Sequence, residues 1–391
     1  MPLIWKEVLT ICIFIIPVHS LLTDKSKIRA DLNFTELVTY DGYRHETHKV
    51  VTEDGYKLTV FRIPPKSECD KKLPLLFQHG LYLSGDDCIV PGPGVAHCYI
   101  YSDNCYDVWI GNSRGTRYSR DHVSLDPDTD DEFWDFSFPK LGIYDNAAVI
   151  DYILRNTEQE QLYYVGHSAG VASLIVLGSK KPEYNSKVKT AFGLSATTWI
   201  GNAKLPMVTI QKLVSNFNVS GDEILEHGGV VQIAAESLCG LKLSYYKCST
   251  ILFSILGYDG FQIAKDVFPV VVGHAPAGVS WKHFVHWGQI AKDGFKEYDY
   301  KDDNVKIYGQ STPPEFELEN VKMKFVLLAS ENDWLADLKD VQKLHSKLPN
   351  SELCVLKDKL FSHLAFVYGK GIPVSITPSI TNYIENNELD C

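Results

Sequence analysis

Two hydrophobic rhythms take turns along this chain. From residue 46, short runs of alternating or continuous apolar residues are followed by stretches whose apolar positions recur every three to four residues. ETHKVVT (46–52) and YKLTVFRI (56–63) alternate as half-buried strands do, and they flank Glu53-Asp54-Gly55, so they predict a hairpin. LPLLFQHG (73–80) and YDVWIGN (106–112) read as buried strands. LGIYDNAAVIDYILRN (141–156) predicts an amphipathic helix, with Ile143, Ala147, Ile150, Ile153 and Leu154 on one side. LYYVGHS (162–168) then predicts a strand, AGVASLIVLGSK (169–180) a helix and KTAFGLSA (189–196) a further strand. Strands that alternate with helices imply a mostly parallel sheet with helices on both faces.

The rhythm changes near Trp199. Residues 200–320 lack clear sheet strands and hold helix-like pieces at 205–217, 223–238 and 279–295, with strongly apolar runs around 249–261 and 267–278. Alternation returns with a strand at 323–330, a helix at 337–348, a strand at 352–358 and a last helix over 375–387. The pattern predicts one core, 21–198 plus 321–391, interrupted by a helical cap and lid at 199–320.

Residues 1–20 stand apart from this rhythm. Lys6 precedes an apolar core, 8–18, that is short for a membrane span, and Ser20 offers a small residue for cleavage. The expectation is a signal peptide, hence a secreted or lysosomal/digestive lumenal protein with no stable membrane span after cleavage. In an oxidising compartment the eight cysteines beyond Cys12 can form disulfides, and Asn33-Phe-Thr and Asn218-Val-Ser can carry glycans. The net charge of −11 argues against nucleic acid as a partner.

Candidate chemistry centres on Gly166-His167-Ser168-Ala169-Gly170. A serine on a tight strand-to-helix turn needs small neighbours two residues to either side, which explains Gly166 and Gly170. The alternative is an inert structural turn. A serine hydroxyl needs a base, and the base an orienting acid. Asp333 and His363 follow late strands, where open parallel sheets place their sites. Asp337 and Glu331 compete for the acid's role, although acids on a helix surface are more often solvated. His345, inside an amphipathic helix, is expected to be exposed, and His167 to stand behind the nucleophile. His283 and His286 share a helix face that could be half a metal site, but no third ligand is evident. Gly80 lets the backbone turn inward after 73–77, so that the Leu81 N–H can join that of Ala169 as an oxyanion donor.

With those motifs in place, the sequence resembles the acid lipase family, which includes gastric and lysosomal acid lipase and many insect members. The resemblance is carried by GYRHETHKVVTEDGYKLTVFRIP, QHGL, YDVWIGNSRG, FWDFSF, YYVGHSAG, HAPAGVSWKHFVHWGQ, FKEYDY, NDWLADLKDV and FSHLAFVYG, in family order over nearly all of the mature chain. It implies an α/β-hydrolase core with a cap, and hydrolysis of neutral-lipid esters at a lipid–water interface by a monomer that needs no cofactor. It implies Ser168 as nucleophile, Asp333 as acid, His363 as base, the Leu81 and Ala169 backbones as oxyanion donors, and a cap disulfide between Cys239 and Cys248. The chain departs from the family at Ala169, where Gln is usual, and at Ala365, where Asp is frequent. It departs again in YLSGDDCIV after QHGL, which brings Asp86 and Asp87 close to an apolar pocket, and in the polar, cysteine-rich HCYIYSDNC. The apolar runs 251–256 and 267–272 would cover the acyl chain, the alternative being simple packing against the core. The departures leave room for an inactive lipid-binding protein on the same fold, and the core alone would also suit a peptidase or small-ester hydrolase.

Overall fold

A computed structural model describes residues 24–66, 68–69, 73–204, 206–216, 221–239 and 262–391. The expected leader (1–20), the sequon at Asn218, the Cys239–Cys248 pairing and the apolar run 251–256 lie outside the described residues.

In chain order, the strands are β1 (Glu46–Val51), β2 (Lys57–Ile63), β3 (Leu75–Gln78), β4 (Val108–Gly111), β5 (Leu162–His167), β6 (Val188–Leu194), β7 (Glu223–Ile224), β8 (Val279–Ser280), β9 (Phe325–Ala329) and β10 (Ser351–Val355). Eight of them form one sheet in the order β1-β2-β4-β3-β5-β6-β9-β10. The β1–β2 hairpin and the β2–β4 pair are antiparallel, and every later pair is parallel. The fold is that of the α/β hydrolases.

Both faces of the sheet are covered, and period-two geometry explains the near-continuous apolar strands. Leu76, Trp109 and Leu327 feed one core, whereas Leu75, Phe77, Val108 and Leu328 feed the other. Helix Ala169–Lys180 lies on the first face, and helices His97–Asp103 and Thr377–Asn386 on the second.

Two elements differ from expectation. The helix expected over 141–156 starts as a turn at Phe138–Lys140, widens into a π-helical turn at Leu141–Asn146, and is α-helical only over Ala147–Thr157. The backbone comes very close at Gly142, where a Cβ would lie 2.4 Å from the Ser173 carbonyl, and the helix rearranges around that approach. Of the predicted apolar stripe, Ala147, Ile150 and Ile153 are buried, while Ile143 and Leu154 are only half-buried. Residues 200–320 contain a short antiparallel pair after all, β7 against β8, beside helices Pro206–Val214, Val230–Cys239, Phe268–His274 and Trp281–Asp293.

Among the described residues three disulfides are present, Cys69–Cys105, Cys88–Cys98 and Cys354–Cys391. The last ties the carboxyl-terminal residue to β10. Asn33 caps helix Phe34–Tyr40, its side-chain oxygen accepting from the Glu36 N–H.

Candidate active site

The register of the central strands brings the site together. Gly166 of β5 lies opposite Gln78 of β3 and Gly193 of β6, so Ser168 emerges at the carboxyl edge beside His79 and Gly80. Ser168 has φ +54°, a left-handed conformation costly for a residue with a Cβ. Its N–H is held by the Leu194 carbonyl at 2.9 Å. The flanking glycines are explained by crowding. A Cβ at Gly166 would meet Tyr164 at 2.8 Å, and one at Gly170 would meet the carbonyls of Gln78 and His79 at 2.7 Å.

Ser168 Oγ lies 2.9 Å from His363 Nε2. His363 Nδ1 lies 3.0 and 3.1 Å from the two carboxylate oxygens of Asp333. Asp333 is 1 % exposed, and the backbone N–H groups of Leu335 and Ala336 donate to its Oδ1 at 2.9 and 2.8 Å. Burial alone would raise the Asp333 carboxyl, but His363, then Ser195 and the Leu335 N–H, hold it below the usual carboxylate range. An imidazole with one nitrogen on a carboxylate and the other on a hydroxyl can accept the hydroxyl proton.

A second serine reaches the same imidazole, and sequence reasoning missed it. Ser195, just past β6, donates to Asp333 Oδ2, and its Oγ lies 2.6 Å from His363 Nδ1. Only the strand end KTAFGLSA pointed to this residue. Nothing in its own neighbours marks it, because its partners come from loops far along the chain.

On the other side of Ser168, a Cβ at Gly80 would sit 3.0 Å from the Ser168 Cβ, so only glycine lets the backbone come this close. Leu81 and Ala169 line one small cavity of about 20 Å³ with Gly80, Tyr82, Gly170 and His283. The Ser113 N–H donates to His79 Nε2 at 3.1 Å, which leaves Nδ1–H to donate to the Gly80 carbonyl at 2.8 Å. His79 is therefore a neutral imidazole in one tautomer, and burial pushes it down to about 4. Because the peptide is trans, gripping the Gly80 carbonyl turns the Leu81 N–H the opposite way.

The competitors are otherwise engaged. Asp337 caps helix Leu338–Lys347 through the Lys339 N–H and pairs with Lys204, and Glu331 pairs with Lys359. His345 is half-buried rather than exposed, with Nδ1 2.8 Å from Ser351 Oγ, because the helix leans on the start of β10. His167 Nε2 donates to the carbonyl of His363 at 3.1 Å and so braces the loop behind the imidazole. His283 accepts from Trp287 Nε1 at 3.1 Å, and His286 bridges Ser137 Oγ and the Lys296 carbonyl, both at 3.0 Å. Among the described residues, no group of three His, Cys, Asp or Glu could hold a metal ion.

Asp86 and Asp87 do not face the cavity beside Ser168. They sit wholly buried in a polar knot beneath it. Asp86 accepts from Arg117 and Tyr118 at 2.9 Å and lies 3.0 Å from His274 Nδ1, while Asp87 accepts from Tyr368. The run 267–272 also differs from a pure acyl-chain cover. Val270, Val271 and Val272 are buried in the second core, and Gly273 comes against the backbone of Ala30. Ala365 is fully buried.

An α/β-hydrolase sheet with a serine, an imidazole and a carboxylate hydrogen-bonded in series at its carboxyl edge defines a serine hydrolase, and the lipases it is similar to make it a carboxylic ester hydrolase. Residues 34–91 match the family described as a partial α/β-hydrolase lipase region, and residues 74–219 match the α/β-hydrolase fold family. The chain is 35% identical to mouse gastric triacylglycerol lipase over 89% of its own length and 90% of that protein's. It is 36% identical to Lipase 1 of Drosophila melanogaster over 86% of its own length and 76% of that one's, and 31% identical to mouse lipase member K over 92% of each. The chain belongs to the acid lipase family. Among solved structures, a Sulfolobus solfataricus protein covers 88% of this chain and 99% of its own at a TM-score of 0.54. An Acinetobacter baumannii protein covers 95% and 100% at 0.52. At 14% and 15% identity these show the fold alone.

Proposed function

We propose that this protein is a secreted serine esterase that cleaves neutral-lipid esters, triacylglycerol or sterol ester, through an acyl-enzyme. The observation that carries the reading is the Ser168 Oγ to His363 Nε2 distance of 2.9 Å, with Asp333 on the far nitrogen. His363 takes the Ser168 proton as Oγ attacks the ester carbonyl, and Asp333 offsets the imidazolium charge. The Leu81 and Ala169 N–H groups receive the oxyanion, and the alcohol leaves with the proton held on His363. Water then attacks the acyl-enzyme, giving its proton to His363, and the carboxylic acid departs as Ser168 is restored. No cofactor enters these steps. Family membership supports a lipid ester as substrate. The remaining assignments belong to the same proposal: signal peptide 1–20, core 21–198 and 321–391, cap 199–320, glycans at Asn33 and Asn218, a Cys239–Cys248 bridge and a monomer at a lipid–water interface.

Two measurements test this reading. A fluorophosphonate probe should label Ser168 in the wild type and leave Ser168→Ala unlabelled. Hydrolysis of a long-chain triglyceride and of a cholesteryl ester, compared side by side, identifies the ester class. Activity retained by Ser168→Ala, or a preference for acetyl over long acyl chains, overturns the proposal.

A further inference from the structure

Two serines flank one imidazole. Ser168 faces Nε2 at 2.9 Å, and Ser195 faces Nδ1 at 2.6 Å. They are not equivalent. Ser195 is 1 % exposed, and its oxygen is taken up between Asp333 Oδ2 and His363 Nδ1. Nδ1 is also the nitrogen that faces Asp333, and an N–H there cannot accept a proton from Ser195.

We propose that Ser195 is a positioning residue for the His363–Asp333 pair. This rests on the proposed role of those two residues as base and acid. The Ser195 hydroxyl donates to Asp333 Oδ2, which leaves its lone pairs to accept from the His363 Nδ1–H. That N–H is shared among Ser195 Oγ and the two carboxylate oxygens, so two side chains fix its direction and with it the aim of the Nε2 lone pair at Ser168. The carboxylate is saturated at the same time, since Oδ1 takes the Leu335 and Ala336 N–H groups and Oδ2 takes Ser195.

The backbone supports the assignment. Ser195 has φ +53°, a conformation that is unfavourable for a serine and persists only where its surroundings impose it. Its N–H is anchored to the Leu328 carbonyl of β9 at 3.0 Å, and the preceding carbonyl, that of Leu194, holds the Ser168 N–H at 2.9 Å. One dipeptide at the end of β6 therefore touches nucleophile, base and acid. A residue serving only as filler would have no need of a hydroxyl or of this turn.

The test compares Ser195→Ala with Ser195→Gly. Alanine removes the hydroxyl and keeps the strain, whereas glycine removes both. Both variants should lose roughly tenfold in kcat with little change in KM, as expected when an interaction acts mainly in the transition state. A loss confined to kcat is the readout that separates positioning of the base from a merely structural role, which would lower the amount of folded enzyme and leave kcat per folded molecule unchanged. A full-rate Ser195→Ala enzyme overturns the proposal. So does a loss that follows the folded fraction, is absent in Ser195→Gly, or lies in KM rather than kcat. Failure of the underlying reading shows separately, as activity retained by Ser168→Ala.

Discussion

The imidazole of His79 donates to the carbonyl of Gly80 at 2.8 Å, and this bond sets the direction of the next peptide N–H, that of Leu81. For the oxyanion role proposed for the Leu81 N–H, a donor on a loop has no helix to aim it, and the buried ring, locked in turn by the Ser113 N–H, would supply the aim. His79→Ala should lower kcat by about tenfold to a hundredfold, somewhat less than removing a donor outright, with KM near the wild-type value. Steady-state kinetics checks this. A variant whose loss lies wholly in KM would show that the ring does something else.

Arg114 ties the β1–β2 turn to the π-helical turn Leu141–Asn146. Its side chain is fully buried and donates to Asp54 at 2.6 and 2.8 Å and to Asp145 at 2.7 Å, with the guanidinium 3.8 Å over the Tyr56 ring. Arg114→Ala would leave the Asp54 and Asp145 carboxylates without their cation. The expected cost is about 3–5 kcal/mol, read as a lower urea midpoint. A change below about 1 kcal/mol would mean that water replaces the guanidinium.

His283 and His286 are pushed down to about 3, chiefly by burial, so both stay neutral in the folded protein over most of the acid range. The unfolded chain protonates them near the ordinary histidine value of about 6.5. Between about 6.5 and 3 the unfolded state binds more protons, so this contribution to stability is lost as pH falls through that window. His283→Gln retains an acceptor for the Trp287 N–H and cannot titrate. The pH dependence of its unfolding free energy between pH 7 and 5 should be shallower than the wild type's, by at most about 1.4 kcal/mol per pH unit. Equal slopes would refute the assignment.

Asp87 works in the opposite sense. Burial first, and then the neighbouring charge of Asp86, push its carboxyl well above the usual range, against the opposing pull of the Tyr368 hydrogen bond. A carboxyl whose folded value is raised stabilises the fold in acid, and that stability is lost as pH rises above the unfolded value of about 4. Asp87→Asn keeps an acceptor for Tyr368 and cannot ionise. It should be more stable than wild type at pH 8, with the advantage shrinking toward pH 4. Thermal melts at both pH values decide it, and a pH-independent difference would show that Asp87 is not neutral in the folded chain.

The strands and most helices were legible because their signal is local. Continuous apolar runs such as 73–77 and 162–165 report burial on both faces, and the glycines at 166 and 170 report backbone crowding at one turn. The order Ser168, Asp333, His363 could be read because chain order in this architecture follows sheet topology. What the pattern could not show is what meets across the sheet. Helix widening at Leu141–Asn146 follows from a backbone approach to Ser173, and the fate of Asp86 and Asp87 follows from Arg117, Tyr118, His274 and Tyr368. The disulfides among the described residues join cysteines whose partners spacing alone left open.

The sequence by itself determined the class of fold, the turn that raises Ser168 and the residue types of the site, because apolar periodicity and steric demand act within a few residues. Only the tertiary structure decided that Ser195 meets the far side of the imidazole, that His79 turns the Leu81 peptide, and that the two unexpected acids lie buried in a polar knot away from the cavity. Those outcomes depend on which distant loops the sheet brings within about 3 Å of each other, and hydrogen bonding at that range leaves no trace in local composition.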